Sequence, residues 1–194
     1  MWGGLVVLLF SIGLVIGHFR AQEESQPSPV ADGTSSQPTR EVLLYFASHD
    51  GKALVAEARA INECQVEEDC LREMIQALIA GPQGDLAPIL PEQVALRDLV
   101  VDGSLVSLDF SHELIAAHPG GTQSELLTTY GLADTLAVNF PHLRQMQILV
   151  EGTVAATLKG HVDLRQPISP DFSLVEEGLA PAGKMTNLPA GGDE

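Results

Sequence analysis

Basic residues are scarce. Ten Lys and Arg stand against 26 Asp and Glu in 194 residues, giving a formal charge of −16, and the ten are scattered along the chain. A grip on nucleic acid or on anionic lipid headgroups needs clustered cations that neutralise phosphates, so nucleic acid is excluded as a partner. Aromatics make up only 5% of the chain, with a single Trp, so any core must be built from Leu, Val, Ile and Ala. The motifs that carry chemistry are missing as well. There is no G-x-S-x-G elbow, and no phosphate-cradling Gly loop followed by Lys. The six histidines include no pair at the i, i+4 spacing of a helical metal site. No catalytic residue, metal site or cofactor is therefore assigned, and a small hydrolase is the weakest of the functional readings. His112 and His118 bracket a loop with Glu113; solvated loop histidines are the preferred reading there over a metal site.

The hydrophobic fraction, 45%, is inflated by one stretch. Residues Trp2 to Gly17 contain no charge, and with Phe19 the apolar run is about 18 residues long. At about 1.5 Å rise per residue it reaches about 27 Å, just enough to cross a bilayer core. Residues 1–19 therefore read as a single N-terminal transmembrane anchor, with a cleaved signal sequence as the alternative. Residues 20–40, rich in Gln, Glu, Ser, Pro and Thr, have almost nothing to bury and read as a disordered linker. Residues 171–194 read the same way, as a disordered acidic tail. The span 41–170 is left as the folded domain, near the commonest domain size. Long acidic domains translocate largely regardless of charge, which places this domain on the extracytoplasmic side of the cell membrane. Cys64 and Cys70 are the only cysteines. Their six-residue separation suits a small disulfide in an oxidising compartment; two buried free thiols are the alternative.

Within the domain, Glu41–Phe46 is a β-rich run closed by Ser-His-Asp-Gly. In the next run Leu54, Ala56, Ala58 and Ala60 alternate with Val55, Glu57 and Arg59. Val66, Cys70, Met74, Ile75 and Leu78 recur at helical spacing over 66–80, with three acids in the first turn. Asp102-Gly103 marks a tight hairpin between Leu99–Val101 and Leu105–Phe110, with Val106, Leu108 and Phe110 facing inward. Thr122-Gln-Ser-Glu125 matches a capping box ahead of a second helix, whose stripe would be Leu126, Tyr130, Ala133, Leu136, Ala137 and Phe140. A last hairpin pairs Met146–Val150 with Val154–Leu158. The expected fold is α/β (α+β): a two-layer sandwich, one mixed sheet of about six short strands with two helices on one face.

Several of these stretches together resemble the GerMN domain of sporulation and spore-germination proteins. They are Leu44-Tyr-Phe46, Leu54-Val-x-Glu-x-Arg-x-Ile61, Leu78-Ile-Ala-Gly-Pro82, Leu90-Pro91, Leu105–Ser111, Gly-Gly-Thr-x-x-Glu at 120–125 and Ile148–Gly152. The resemblance covers nearly all of residues 41–165. It implies an exported, tethered bacterial envelope protein, of a kind often lipidated and sometimes carrying two tandem copies of the domain. This chain holds one copy. His18 stands where a lipidation site would need Cys, so the expected tether is the apolar span.

Glu57 and Arg59, two apart on a strand, project from one face and would form a polar patch with Tyr45, or with Asp109 and Ser111. A solvated ion pair is one reading of that patch. The resemblance favours the other, a ligand or partner site in which Arg59 meets a carboxylate and Glu57 a hydroxyl or amine. Gly120-Gly121, ahead of the second helix, would shape the turn or admit an anion. The expected function is a membrane-anchored, non-enzymatic binding or assembly module whose partner is peptidoglycan or an envelope protein. A ring- or oligomer-forming scaffold, using Thr157–Lys159 as a sheet edge, is the alternative.

Overall fold

The computed structural model describes residues 38–176, and the expected span at 1–19 and most of the expected linker and tail lie outside them. No helix among the described residues is long and apolar enough to cross a membrane. The elements are β1 (Thr39–Ala47), β2 (Leu54–Asn62), α1 (Glu67–Ile79), β3 (Leu96–Asp102), β4 (Leu105–Phe110), α2 (Glu113–Ala116), α3 (Thr122–Asn139), β5 (Gln145–Val150) and β6 (Thr153–Val154).

The α/β sandwich is as expected in class, but its strands form two sheets rather than one. β1 and β2 make an antiparallel pair, while β3-β4-β5-β6 make a mixed sheet in which β4 and β5 run parallel. The reason lies on the outer edge of β1. There Asn139 exchanges hydrogen bonds with the N–H and C=O of Leu43 at 3.0 and 2.7 Å, and Thr135 Oγ1 accepts the Tyr45 N–H at 3.0 Å. Ala47 and Ala87 exchange backbone bonds just beyond. With Leu43, Tyr45 and Ala47 of its edge held by side chains of α3 and by one loop residue, the C-terminal half of β1 is blocked from pairing with another strand.

The β3–β4 hairpin turns at Asp102-Gly103, and Val106, Leu108 and Phe110 are fully buried, as their alternation predicts. The last hairpin is shorter than expected. Only Thr153–Val154 pairs with β5, so Thr157–Lys159 is not a sheet edge, and Lys159 turns its ammonium toward the Ala116 carbonyl at 3.5 Å. Helix α1 opens after an exposed Val66, and Leu71 takes the inward position beside Cys70, Met74, Ile75 and Leu78. Cys64 and Cys70 are joined in a disulfide, Cα atoms 5.4 Å apart, which ties the chain leaving β2 to the first turn of α1.

Helix α3 departs most from its sequence. It is buried on nearly every side, including Glu125, Thr128, Thr129, Asp134 and Thr135, while Leu126, Tyr130 and Ala137 of the expected stripe are only half-buried. Nor does Glu125 close a capping box. Its carboxylate instead accepts from the backbone N–H groups of His161 and Val162 and from His161 Nδ1 at 2.7 Å, pinning the 159–162 loop. The ordered chain also continues past residue 170. Asp171–Glu176, expected in the tail, includes a single 3₁₀ turn at Phe172–Leu174 and packs on the domain.

Candidate functional site

Of the residues expected to share one site, the structure brings together Glu57 and Arg59 and separates the rest. Glu57 pairs across the sheet with Leu44, and Tyr45 with Ala56. Since neighbours along a strand point to opposite faces, Tyr45 stands on the far side of the sheet from the pair. Asp109 lies on β4 of the other sheet and Ser111 directly follows that strand. Asp109 joins Arg97 at 3.3 Å and accepts the Gly152 N–H at 2.8 Å, while Ser111 Oγ accepts the Ala95 N–H at 3.0 Å.

The Glu57–Arg59 pair is largely buried rather than a solvated face, and Arg59 lines a small pocket of about 280 Å³ with Thr39, Asn62 and Gln83. The two side chains are in direct contact and only 16% and 9% exposed. Arg59 Nη2 also donates to the Gly81 carbonyl at 3.1 Å, and Glu57 Oε2 accepts the N–H groups of Gln83 and Gly84 at 3.0 Å each. The guanidinium lies 5.9 Å from the Phe46 ring centre. Burial pushes the Glu57 carboxyl up, but Arg59 and the two backbone donors outweigh it and hold it below the usual carboxylate range. Together the pair clasps the 81–84 turn that follows α1. The clasp engages Arg59 Nη2 and both carboxylate oxygens of Glu57, while Arg59 Nε has no hydrogen-bond partner among the described residues.

A larger open feature lies at the N-terminal end of α3. A cleft of about 730 Å³ is walled on one side by the 87–93 loop and on the other by the 117–121 connection, with Leu127 and Thr128 of α3 at its base and Gln123 and Ser124 on its rim. Gly121 caps the helix at φ 90° and ψ 146° without any side-chain cap. Only glycine adopts that conformation freely, so Gly121 shapes the turn, and no side chain caps the first-turn N–H groups.

The walls are braced from behind. The Gly120 N–H donates to His118 Nδ1 at 3.0 Å, which leaves the proton of the neutral ring on Nε2. Nε2 donates to Thr128 Oγ1 at 3.0 Å, and Thr128 donates in turn to the Ile89 carbonyl at 2.6 Å. One chain of hydrogen bonds thus links the 117–121 wall, α3 and the 87–91 wall. His118, expected as a solvated loop residue, is 4% exposed. Burial pushes its pKa down, with Glu125 opposing and Lys159 adding to the effect. Nothing in the local sequence marked it, because its partner Thr128 lies ten residues away on the next helix. Among the described residues no group of three or more His, Cys, Asp or Glu is placed to hold a metal ion.

Fold and site together define a compact α/β sandwich tied by one disulfide, with one braced cleft beside its central helix. The chain belongs to the family described as Germane, sporulation and spore germination, whose model matches residues 43–156, and so carries a GerMN-like domain. Among solved structures it is similar to a Clostridium perfringens protein provisionally described as a lipoprotein. The two are 28% identical, with a TM-score of 0.49, over 68% of this chain and 87% of that one. It is also similar to the tandem GerMN domains of the sporulation protein GerM from Bacillus subtilis, at 16% identity and a TM-score of 0.50. That match covers 69% of this chain and 46% of the tandem structure, so the chain spans about half of its length. The first GerMN domain of the same protein matches at 16% identity and a TM-score of 0.49, over 69% of this chain and 96% of that one. No curated protein matches the sequence.

Proposed function

We propose that the chain is a non-enzymatic binding or assembly module of the bacterial cell envelope. The N-terminal apolar segment would tether it to the membrane with the GerMN-like domain on the extracytoplasmic side. Peptidoglycan or another envelope protein is its partner. The cleft at the start of α3 carries this reading. It is open, its volume is in the range of ligand sites, and its walls are held by hydrogen bonds from buried side chains. Its lining is mainly small apolar residues, prolines and backbone, with Glu92, Gln93, Thr122, Gln123, Ser124 and Thr128 as the polar residues. Such a surface suits holding a ligand rather than transforming one. The Cys64–Cys70 disulfide supports an oxidising compartment, and the family's sporulation and germination description supports an envelope role.

The test is co-sedimentation of the full chain, in detergent, with isolated peptidoglycan sacculi. Ala117 is exposed on the cleft wall, so Ala117→Trp fills the cleft without disturbing the core. Pelleting of the wild type that is lost in a folded Ala117→Trp variant supports wall binding at the cleft. If the wild type stays in the supernatant, wall binding falls and the protein partner becomes the reading to pursue.

One observation favours an oligomeric scaffold as second reading. On its outer side β3 pairs with no further strand among the described residues, and Val100 on it is 53% exposed. Sedimentation equilibrium over a wide concentration range decides it; a strict monomer throughout sinks the scaffold.

A further inference from the structure

The segment Asp171–Glu176 crosses the face of the β1–β2 sheet that carries Tyr45, and it is fastened at both ends. At the near end Asp134, fully buried in the middle of α3, accepts the Asp171 N–H at 2.8 Å through Oδ1. At the far end the Glu176 N–H donates to the Leu54 carbonyl at 2.9 Å, and Val175 bridges Leu54. Between them Phe172 packs edge-on to the Tyr45 ring, with centres 6.2 Å apart.

Asp134 Oδ2 is buried and has no hydrogen-bond partner among the described residues. A neutral carboxyl tolerates that position, whereas a carboxylate needs water or donors there. The titratable groups facing it are Tyr45 from β1 and Asp171 from the strap, and negative charge on either repels a charged Asp134. No ion pair reaches it among the described residues. Burial raises the Asp134 carboxyl to about 7; the Asp171 N–H opposes that rise and the Asp171 charge adds to it.

We infer that residues 171–176 form a pH-gated strap, closed over Tyr45 while Asp134 keeps its proton and opened by water reaching Asp134 Oδ2 when that proton is lost. The proton goes to solvent, and no other group need change state. The closed strap holds the proton and the open one releases it, so opening becomes more favourable as pH rises from the ordinary carboxylate range toward 7. Above that it levels off. Ionised Oδ1 would still accept the Asp171 N–H. The drive to open comes from Oδ2, buried without a partner on the same carboxyl that holds the strap's Asp171 N–H.

Hydrogen exchange of the full chain between pH 5 and 8, corrected for intrinsic exchange rates, tests this. Protection of the 171–176 amides should fall by roughly tenfold or more across that range, while β4 amides keep theirs. In Asp134→Asn, which keeps the acceptor and cannot ionise, strap protection should be flat. Phe172→Ala should lower strap protection at every pH and keep the slope. Wild-type strap protection that does not change with pH, or an unchanged slope in Asp134→Asn, overturns the inference. Should Asp134→Asn not fold, carbon NMR of the wild-type Asp134 carboxyl decides. A midpoint near 7 tracked by the strap amides supports the latch, and a midpoint below 5 overturns it.

Discussion

Asn139 holds Leu43 by both of its backbone groups, accepting the N–H at 3.0 Å and donating to the C=O at 2.7 Å. A single side chain thereby does the work of a neighbouring strand. With Thr135 one turn earlier on the Tyr45 N–H, it turns the outer edge of β1 into the seat of α3. This relationship explains why a six-stranded chain builds two sheets, and why a helix so polar in sequence runs through the interior.

Replacing Thr135 by Val keeps the shape but leaves the buried Tyr45 N–H without an acceptor, a loss of about 1–3 kcal/mol. Urea unfolding should show the midpoint falling at unchanged m-value. An unchanged midpoint would mean that the edge is satisfied some other way.

Glu57 and Arg59 should behave as a coupled pair. Glu57→Ala strands a buried guanidinium and should cost about 3 kcal/mol or more. The double substitution Glu57→Ala, Arg59→Ala should cost clearly less than the sum of the two singles. Additive losses in a double-mutant cycle would instead describe two independent surface residues.

Gly131 has an ordinary helical backbone, yet a Cβ there would stand 2.7 Å from Ile89 Cδ1 and 3.2 Å from Leu54 Cδ2. Gly131→Ala should therefore destabilise, although Ala is favoured over Gly inside a helix by about 1 kcal/mol. Ile89→Val deletes the nearer of the clashing atoms. In that background Gly131→Ala should be neutral or stabilising in thermal unfolding; a further loss there would place the clash elsewhere.

Much of the fold was legible because it follows local rules. The Asp102-Gly103 turn, the alternation of Val106, Leu108 and Phe110, and the acids opening α1 each depend on residues a few positions apart. What failed to read was long-range. Glu125 has the spacing of a capping residue, but its carboxylate is claimed by the 159–162 loop, 36 and 37 residues away. Asp171–Val175 reads as tail because a Gly-, Pro- and Ala-rich stretch follows it to Glu194, and only Asp134 and Tyr45 give its Phe172, Leu174 and Val175 a place. The Glu57–Arg59 contact was legible from strand periodicity. Its burial was not, since it depends on Gly81–Gly84 folding back over the pair. The cleft has no sequence signature beyond Gly120-Gly121, since its walls come from segments some thirty residues apart.

Stability below neutral pH should depend on His118. Its folded pKa lies below the ordinary 6.5 because burial disfavours the charged ring. The unfolded chain therefore takes up a proton that the folded one refuses. Stability is fully present above pH 6.5 and is lost as pH falls from there toward the depressed value. In His118→Gln the difference in unfolding free energy between pH 7 and pH 5 should shrink relative to wild type. An equal difference in both proteins would assign the acid sensitivity to other groups.

The most direct test of the cleft as a binding face is photo-crosslinking in intact cells that express the protein. A benzophenone amino acid would replace Ala117 on the cleft wall in one strain and exposed Val100 on β3 in another. A discrete adduct, to a wall fragment or a single envelope protein, is expected from position 117 and not from position 100. Adducts from position 100 alone, or equally from both, would contradict the assignment of the cleft as the binding face.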